Sequence, residues 1–187
     1  MDVTGRTAAD LAVYSLQQGE QLRLRVNGES MAPLIHPGDT VIIVYCQPDE
    51  LRCGDLVLIR RENDLVTHRL IGRTDQGWIT KGDGSPWADP LVKEDCLLGK
   101  AVAIESRGRR ISFETRSWKE RSRLAGWLSC VEQRLLGRLS PCKPARHGWR
   151  RRLVWLARAP FWAAYTIIAA LDRRSYDLIR HVPNPGE

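Results

Sequence analysis

Two short stretches of this 187-residue chain carry residue types that could do chemistry together. In Gly28-Glu29-Ser30-Met31-Ala32-Pro33-Leu34-Ile35-His36-Pro37-Gly38-Asp39, a serine sits in a turn bounded by glycine and proline. In Val66-Thr67-His68-Arg69-Leu70, a histidine sits in a strand-like run. A serine hydroxyl becomes a nucleophile only when a base within hydrogen-bond reach removes its proton. Imidazole suits that role because it ordinarily titrates near neutrality. Ser30 and His68 therefore offer a nucleophile and a base for acyl transfer, which points to a protease. A serine and a histidine taken alone say little, so the weight falls on the elements that would bring them together.

Those elements read as mostly short strands. Thr7 with Asp10 resembles a capping pair that opens a helix from Ala8 to Gln18, stopped by Gly19. From Leu22 the pattern alternates, with Leu22, Leu24 and Val26 against Arg23 and Arg25, and runs straight into the Ser30 turn. Further strands are expected at Thr40–Tyr45, Asp55–Arg60, Asp64–Ile71, Gly77–Lys81, Gly99–Glu105 and Arg109–Phe113, separated by Gly, Pro, Asp and Asn turn signals. The fold class is mainly β: a coiled antiparallel sheet, or barrel-like domain, with a short N-terminal helix. His68 shares a strand face with Val66 and Leu70, so it should point to the apolar side or into a groove beside it.

After Phe113 the character changes. Ser117 to Glu120 reads as a capping box, and Leu124, Trp127, Leu128, Val131, Leu135 and Leu139 follow at helical spacing, with Gly137 and Pro141 ending the helix. A basic linker, Pro141 to Arg152, leads to an apolar stretch from Leu153 to Leu171. Two regions follow: residues 1–115 as a β catalytic domain and residues 116–187 as a basic helical region.

Charge divides the same way. Residues 1–105 hold 11 Lys/Arg against 16 Asp/Glu, whereas residues 106–187 hold 18 against 6, so the second part expects an anionic partner. Leu153–Leu171 is about long enough to cross a bilayer. Its apolar residues gain about 3.5 kcal/mol on insertion, but a central Arg158 costs about 3, and Pro160 adds a kink. The sum decides nothing, and a pair of helices lying in the interface, with Trp at headgroup level and arginines on phosphates, fits at least as well. On the in-plane reading, residues 118–174 meet an anionic membrane surface and the protein is peripheral, with the cytoplasmic face as one option; basic clusters at both ends leave the side of the membrane open. Packing of both helices on the β domain is the simpler alternative. Nucleic acid is disfavoured, because no DNA-binding module is recognisable. The five cysteines form no CxxC pair and no zinc spacing, which suggests reduced thiols while leaving a Cys46–Cys53 bridge open. No N-terminal signal peptide is expected, and no cofactor or metal is called for.

The chain resembles the type I signal peptidase family, within the wider S24/S26 serine peptidases, and in particular its Ser/His branch of archaeal and endoplasmic-reticulum type. The serine box is Gly28 to Pro33, closed by Pro37-Gly38-Asp39. Gly54-Asp55-Leu56-Val57, the His68 strand, Thr80-Lys81-Gly82-Asp83 with Asp89, and Gly99-Lys100-Ala101-Val102 follow in the family's order over about residues 22–105. The resemblance implies Ser30 as nucleophile, His68 as general base, and either Asp83 or Asp89 as the acid that orients His68, with Asp39 or Asp55 as less favoured choices. It implies that the Ser30 backbone N–H donates to an oxyanion; Gly28 supplies no hydroxyl as a second donor. It also implies a peptide or preprotein substrate, cut after small residues. Glu29 departs from the pattern by placing a charge beside the nucleophile, and the family's N-terminal membrane anchor is not recognised. A self-cleaving repressor-type peptidase, and an inactive peptidase-like binding module, are the alternatives.

Overall fold

The computed structural model describes residues 3–61, 64–139, 154 and 156–179. The expected Pro141–Arg152 linker, Leu153, Cys142, His147 and His181 lie outside the described residues. Helix α1 spans Val3–Gln17, so Thr7 and Asp10 lie inside it rather than at its start. Gly19, at φ +80°, ends it: its N–H donates to the Leu16 carbonyl, and the Glu20 N–H donates to that of Ser15. This paired closure needs a left-handed residue, which glycine adopts without a Cβ clash.

Seven strands follow: β1 (Leu22–Arg25), β2 (Thr40–Val44), β3 (Leu56–Arg61), β4 (Asp64–Thr74), β5 (Gly77–Lys81), β6 (Leu97–Ser106) and β7 (Arg109–Ser112). All pairings are antiparallel, in the order β1-β2-β6-β3-β4-β5, with β7 also paired to β6. The sheet is mainly antiparallel, as the turn spacing implied, but it does not close into a barrel. Strand β3 shows why Leu56-Val57-Leu58-Ile59 has no polar alternation. Leu56 and Leu58 enter one core with Leu16, Met31, Ile35, Val41 and Ile104, while Val57 and Ile59 enter a second with Leu51, Leu70, Trp78 and Val92. A strand covered on both faces is apolar throughout. Each fully buried aliphatic side chain there contributes roughly 1.5–3 kcal/mol.

Helix α2 spans Arg116–Leu139. Its N-cap is Thr115, whose hydroxyl accepts the Trp118 N–H at 3.3 Å, and not Ser117 as the capping-box pattern suggested. The face it buries also differs from the apolar stripe read in the sequence. Leu124, Trp127 and Leu135 are exposed, while Trp118, Ala125, Ser129, Glu132 and Leu136 are buried. Small residues permit this: a Cβ on Gly126 would lie 2.7 Å from the Gly54 Cα, and a Cβ on Gly54 would lie 2.5 Å from the Ser122 carbonyl oxygen. The helix backbone therefore rests directly on the turn before β3, and alanine at either position would force it away.

Helix α3 spans Ala159–Ile179, with Pro160 in its first turn, where the missing N–H costs nothing, so Pro160 starts this helix rather than kinking it. Tyr165 and Ile168 pack on Ala125, with Phe161 and Leu128 at the margin. Among the described residues, no helix is long and apolar enough to cross a membrane.

Candidate active site

The Ser30 turn is an excursion from the sheet whose two ends are tied together. The Val26 N–H donates to the Asp39 carbonyl and the Gly38 N–H to that of Val26, each at 2.8 Å. Within the excursion, Met31 and Ile35 are sunk into the core beside Leu16, while Ser30 remains exposed. Alternate burial of neighbouring residues thus pins the hydroxyl at the surface. The Asp39 carboxylate accepts the His36 N–H at 2.8 Å, and the Asp55 carboxylate accepts the Arg52 N–H at 2.9 Å. Both acids hold turns and make no hydrogen bond with His68.

His68 comes from β4, where it lies opposite Val57 of β3. A register shift between Leu70 and Gly72 bends the same strand where it pairs with β5. Bulges of this kind re-aim neighbouring side chains. The imidazole Nε2 lies 3.0 Å from Ser30 Oγ, and Nδ1 lies 2.6 Å from Asp89 Oδ2. Asp89 reaches this point because the segment after β5 doubles back beside it. The Asp89 N–H donates to the Thr80 carbonyl at 2.8 Å, and Trp78 and Val92 exchange backbone hydrogen bonds. The Thr80 hydroxyl donates to Asp89 Oδ2 at 2.8 Å, and Arg61 approaches Oδ1 as an ion pair at 2.5 Å.

Burial by itself would raise the Asp89 pKa. The hydrogen bond and charge of His68, with Thr80 and Arg61, outweigh it and hold the carboxyl below its ordinary range. An ionised carboxylate only accepts, so in the neutral imidazole the proton lies on Nδ1 and Nε2 keeps a lone pair facing the serine hydroxyl. Ser30, His68 and Asp89 thus form one continuous relay in which the serine proton has an acceptor and the resulting imidazolium has a counter-charge.

Asp83 does not join it. Its carboxylate takes two hydrogen bonds from Arg69, at 2.7 Å from Nε and 2.6 Å from a terminal nitrogen, and both side chains are only 1% exposed. Of the two acids the sequence left open, Asp89 meets the imidazole and Asp83 neutralises a buried arginine. Burial works against the Arg69 charge, but Asp83 more than offsets it and raises the guanidinium pKa. Arg69 also donates to the Gly54 carbonyl at 2.7 Å and to the Ser122 hydroxyl at 2.9 Å, which ties β4 to α2.

The loop between β5 and Asp89 closes on the serine turn with no room to spare. A Cβ on Gly82 would sit 2.5 Å from the Ser30 carbonyl oxygen and 3.2 Å from His68 Nε2. A Cβ on Gly84 would sit 2.7 Å from the Glu29 carbonyl oxygen, and the Gly84 N–H donates to the Ser30 carbonyl at 2.7 Å. Behind this loop lies a second buried charge cluster. Lys81 donates to Glu132 of α2 at 2.6 Å, and Arg158 donates to the other oxygen of Glu132 at 2.6 Å. Desolvation draws the Lys81 pKa down, against the upward pull of Glu132. Arg158 further donates to the carbonyls of Asp83 and Gly84. Gln133 accepts the Ala88 N–H at 3.0 Å.

Beside Ser30 a cleft of about 660 Å³ opens. Glu29, Ala32 and Gly84 line it together with the serine, and Arg158 and Trp162 of the C-terminal region line it too. Among the described residues, no three His, Cys, Asp or Glu side chains converge as a metal ion would need. Cys46 and Cys53 are both free thiols, so they form no bridge. Burial raises the Cys53 thiol to about 11, helped by its neighbour Cys130.

The sequence reading gave no role at the site to Arg61, Thr80, Gly82, Gly84, Glu132 or Arg158. The last two carried a signal: Glu132 is a lone charge on an otherwise apolar helical face and Arg158 one inside the apolar stretch from Leu153 to Leu171, and their opposite signs suit burial as a pair. Residues 5–94 match the model of the Peptidase S24-like family, a span that contains Ser30, His68, Asp83 and Asp89. The match supports the broad S24/S26 grouping of serine peptidases and a peptidase-type function. A search of the curated proteins finds no match.

Proposed function

We propose that this chain is a serine endopeptidase of signal-peptidase type that cleaves leader or signal peptides after small residues, with Ser30 as nucleophile, His68 as general base and Asp89 as the acid that orients it. The observation that carries this reading is the unbroken Ser30–His68–Asp89 hydrogen-bond chain. Ser30 Oγ attacks the scissile carbonyl as its proton passes to His68 Nε2, and the carbonyl oxygen becomes an oxyanion facing the Ser30 backbone N–H. Asp89 stabilises the imidazolium without taking its proton. His68 then returns that proton to the leaving amine, and a water activated by the same imidazole hydrolyses the acyl-enzyme. The test compares Ser30→Ala and His68→Ala with the wild type on an Ala-x-Ala peptide. Cleavage by both variants at the wild-type rate removes the assignment.

The S24-like match is equally compatible with a second reading, self-cleavage of the repressor type. Lysine serves as base in that group, whereas the residue beside Ser30 is His68, and Lys81 is fully buried against Glu132. Fragments produced from the purified chain, and absent from Ser30→Ala, would establish it. The basic helices are proposed to lie on an anionic membrane surface, supported by the exposed Leu124, Trp127, Leu156 and Ile167. Equal recovery in the supernatant with phosphatidylglycerol and phosphatidylcholine vesicles would refute that.

A further inference from the structure

The wall of the cleft opposite the serine turn comes from a part of the chain that lies beyond the span matching the peptidase family. Its placement is fixed by Arg158, just before α3. All three guanidinium nitrogens of Arg158 donate: to Glu132 and to the carbonyls of Asp83 and Gly84. Gly84 in turn donates to the Ser30 carbonyl. Two links therefore connect the start of α3 to the backbone of the nucleophile, through a side chain that is 1% exposed. One turn further on, the Arg158 guanidinium lies 5.1 Å from the Trp162 ring centre. The Trp162 N–H donates to the Arg158 carbonyl at 3.0 Å. Trp162 remains 38% exposed and lines the cleft together with Ala32 and Ser30.

The Arg158 charge is already met by Glu132 and by the loop carbonyls, so this wall presents no cation in search of an anion. What it offers is an aromatic ring beside alanine. A volume of about 660 Å³ falls in the range of sites that take ligands of drug size, more than an alanine side chain needs. The other ionised group in the lining is Glu29, on the serine-turn side.

We propose that Trp162 is a specificity-determining residue, whose ring receives a large apolar side chain of the peptide substrate close to the bond that Ser30 attacks, with Arg158 clamping α3 in place. The inference rests on the peptidase reading and deepens it: a small residue at the cleavage point is accompanied by a Leu- or Phe-sized residue nearby.

Labelled peptides built on Ala-x-Ala, with Ala, Leu or Phe scanned through the flanking positions, test this on the full chain in two ways. The first is binding to the Ser30→Ala protein, followed by fluorescence anisotropy. At one position, Leu or Phe should bind about tenfold more tightly than Ala. Adding Trp162→Ala should reduce that ratio to about twofold or less, and Trp162→Phe should preserve most of it. The second is cleavage by wild type and Trp162→Ala, in which the ratio of kcat/KM for the Leu or Phe peptide over the Ala peptide should fall as the binding ratio does. Preference unchanged by Trp162→Ala, or no preference at any position, overturns the proposal and leaves the peptidase reading intact. Trp162-dependent binding without any Ser30-dependent cleavage overturns the peptidase reading and upholds the cleft assignment.

Discussion

Asp89 and Asp83 lie six residues apart in one loop, and replacing each with asparagine should give opposite phenotypes. In Asp89→Asn the side chain has one oxygen and one NH2 group to distribute among Arg61, His68 and Thr80. Arg61, 2.5 Å from one carboxylate oxygen, is cationic and cannot accept, so it keeps the amide oxygen. The NH2 group then faces His68 Nδ1 and Thr80 Oγ1, which were 2.6 Å and 2.8 Å from the other oxygen. The hydroxyl can rotate to accept. The imidazole can accept only by moving its proton to Nε2, and that proton then faces Ser30 Oγ, where a lone pair is required. A triad locked in this tautomer loses about 10⁴-fold in kcat with its geometry kept. The fold should survive, with Tm lowered by a few degrees at most, since each kcal/mol is worth about 2–4 °C in a chain of this size.

Asp83→Asn reverses the balance. It removes the only carboxylate on Arg69 among the described residues, and stranding a buried charge costs about 3–5 kcal/mol. One amide oxygen still accepts from Arg69, so the lower end applies: about 3 kcal/mol, or roughly 6–12 °C in Tm. The folded fraction should keep kcat within about tenfold of wild type, because Asp83 does not touch His68. Thermal melts and kcat on one peptide, measured for both variants, decide the matter. The reasoning is refuted if Asp89→Asn retains kcat within tenfold, or if Asp83→Asn loses activity with its Tm unchanged.

Gly82→Ala must push a methyl group against the Ser30 carbonyl and the His68 ring. A displacement approaching 1 Å there should lower kcat/KM about 10²-fold, with a stability loss of about 1–3 kcal/mol; near-wild-type activity would show that the two loops can part freely. Glu132→Gln removes the buried carboxylate that Lys81 and Arg158 share. It should cost about 3–5 kcal/mol, and a melt within 2 °C of wild type, about the shift expected for 1 kcal/mol or less, would count against that cluster. Because the folded state lowers the Asp89 pKa below 3.8, its contribution to stability is complete above that value and is lost as the pH falls through the folded-state value. The Tm gap between wild type and Asp89→Asn should therefore narrow below about pH 4; a gap that widens on acidification would contradict the sign.

The strands were legible because a period of two and glycine or proline punctuation are local signals, and β5 matches its expected limits at both ends. Helix α2 was legible as a helix, but its buried face was not. Hydrophobicity ranked Leu124 and Trp127 as core, whereas the docking surface is set by close approach at Gly126 and by charge pairing at Glu132. Both depend on partners more than 50 residues away. Arg158 was weighed as a cost of membrane insertion for the same reason: its partner Glu132 lies 26 residues back on another helix.

The sequence by itself determined the chemistry on offer: a serine in a constrained turn and a histidine on a strand. Residue type and local periodicity suffice for that. Which acid meets the histidine depends on how the segment after β5 folds back beside it, because Asp83 and Asp89 are chemically alike and differ only in which partner each reaches. The tertiary structure also brought α3 to the edge of the cleft. A buried arginine can lie only where a carboxylate and free carbonyls converge on it, and in this chain they converge behind the serine.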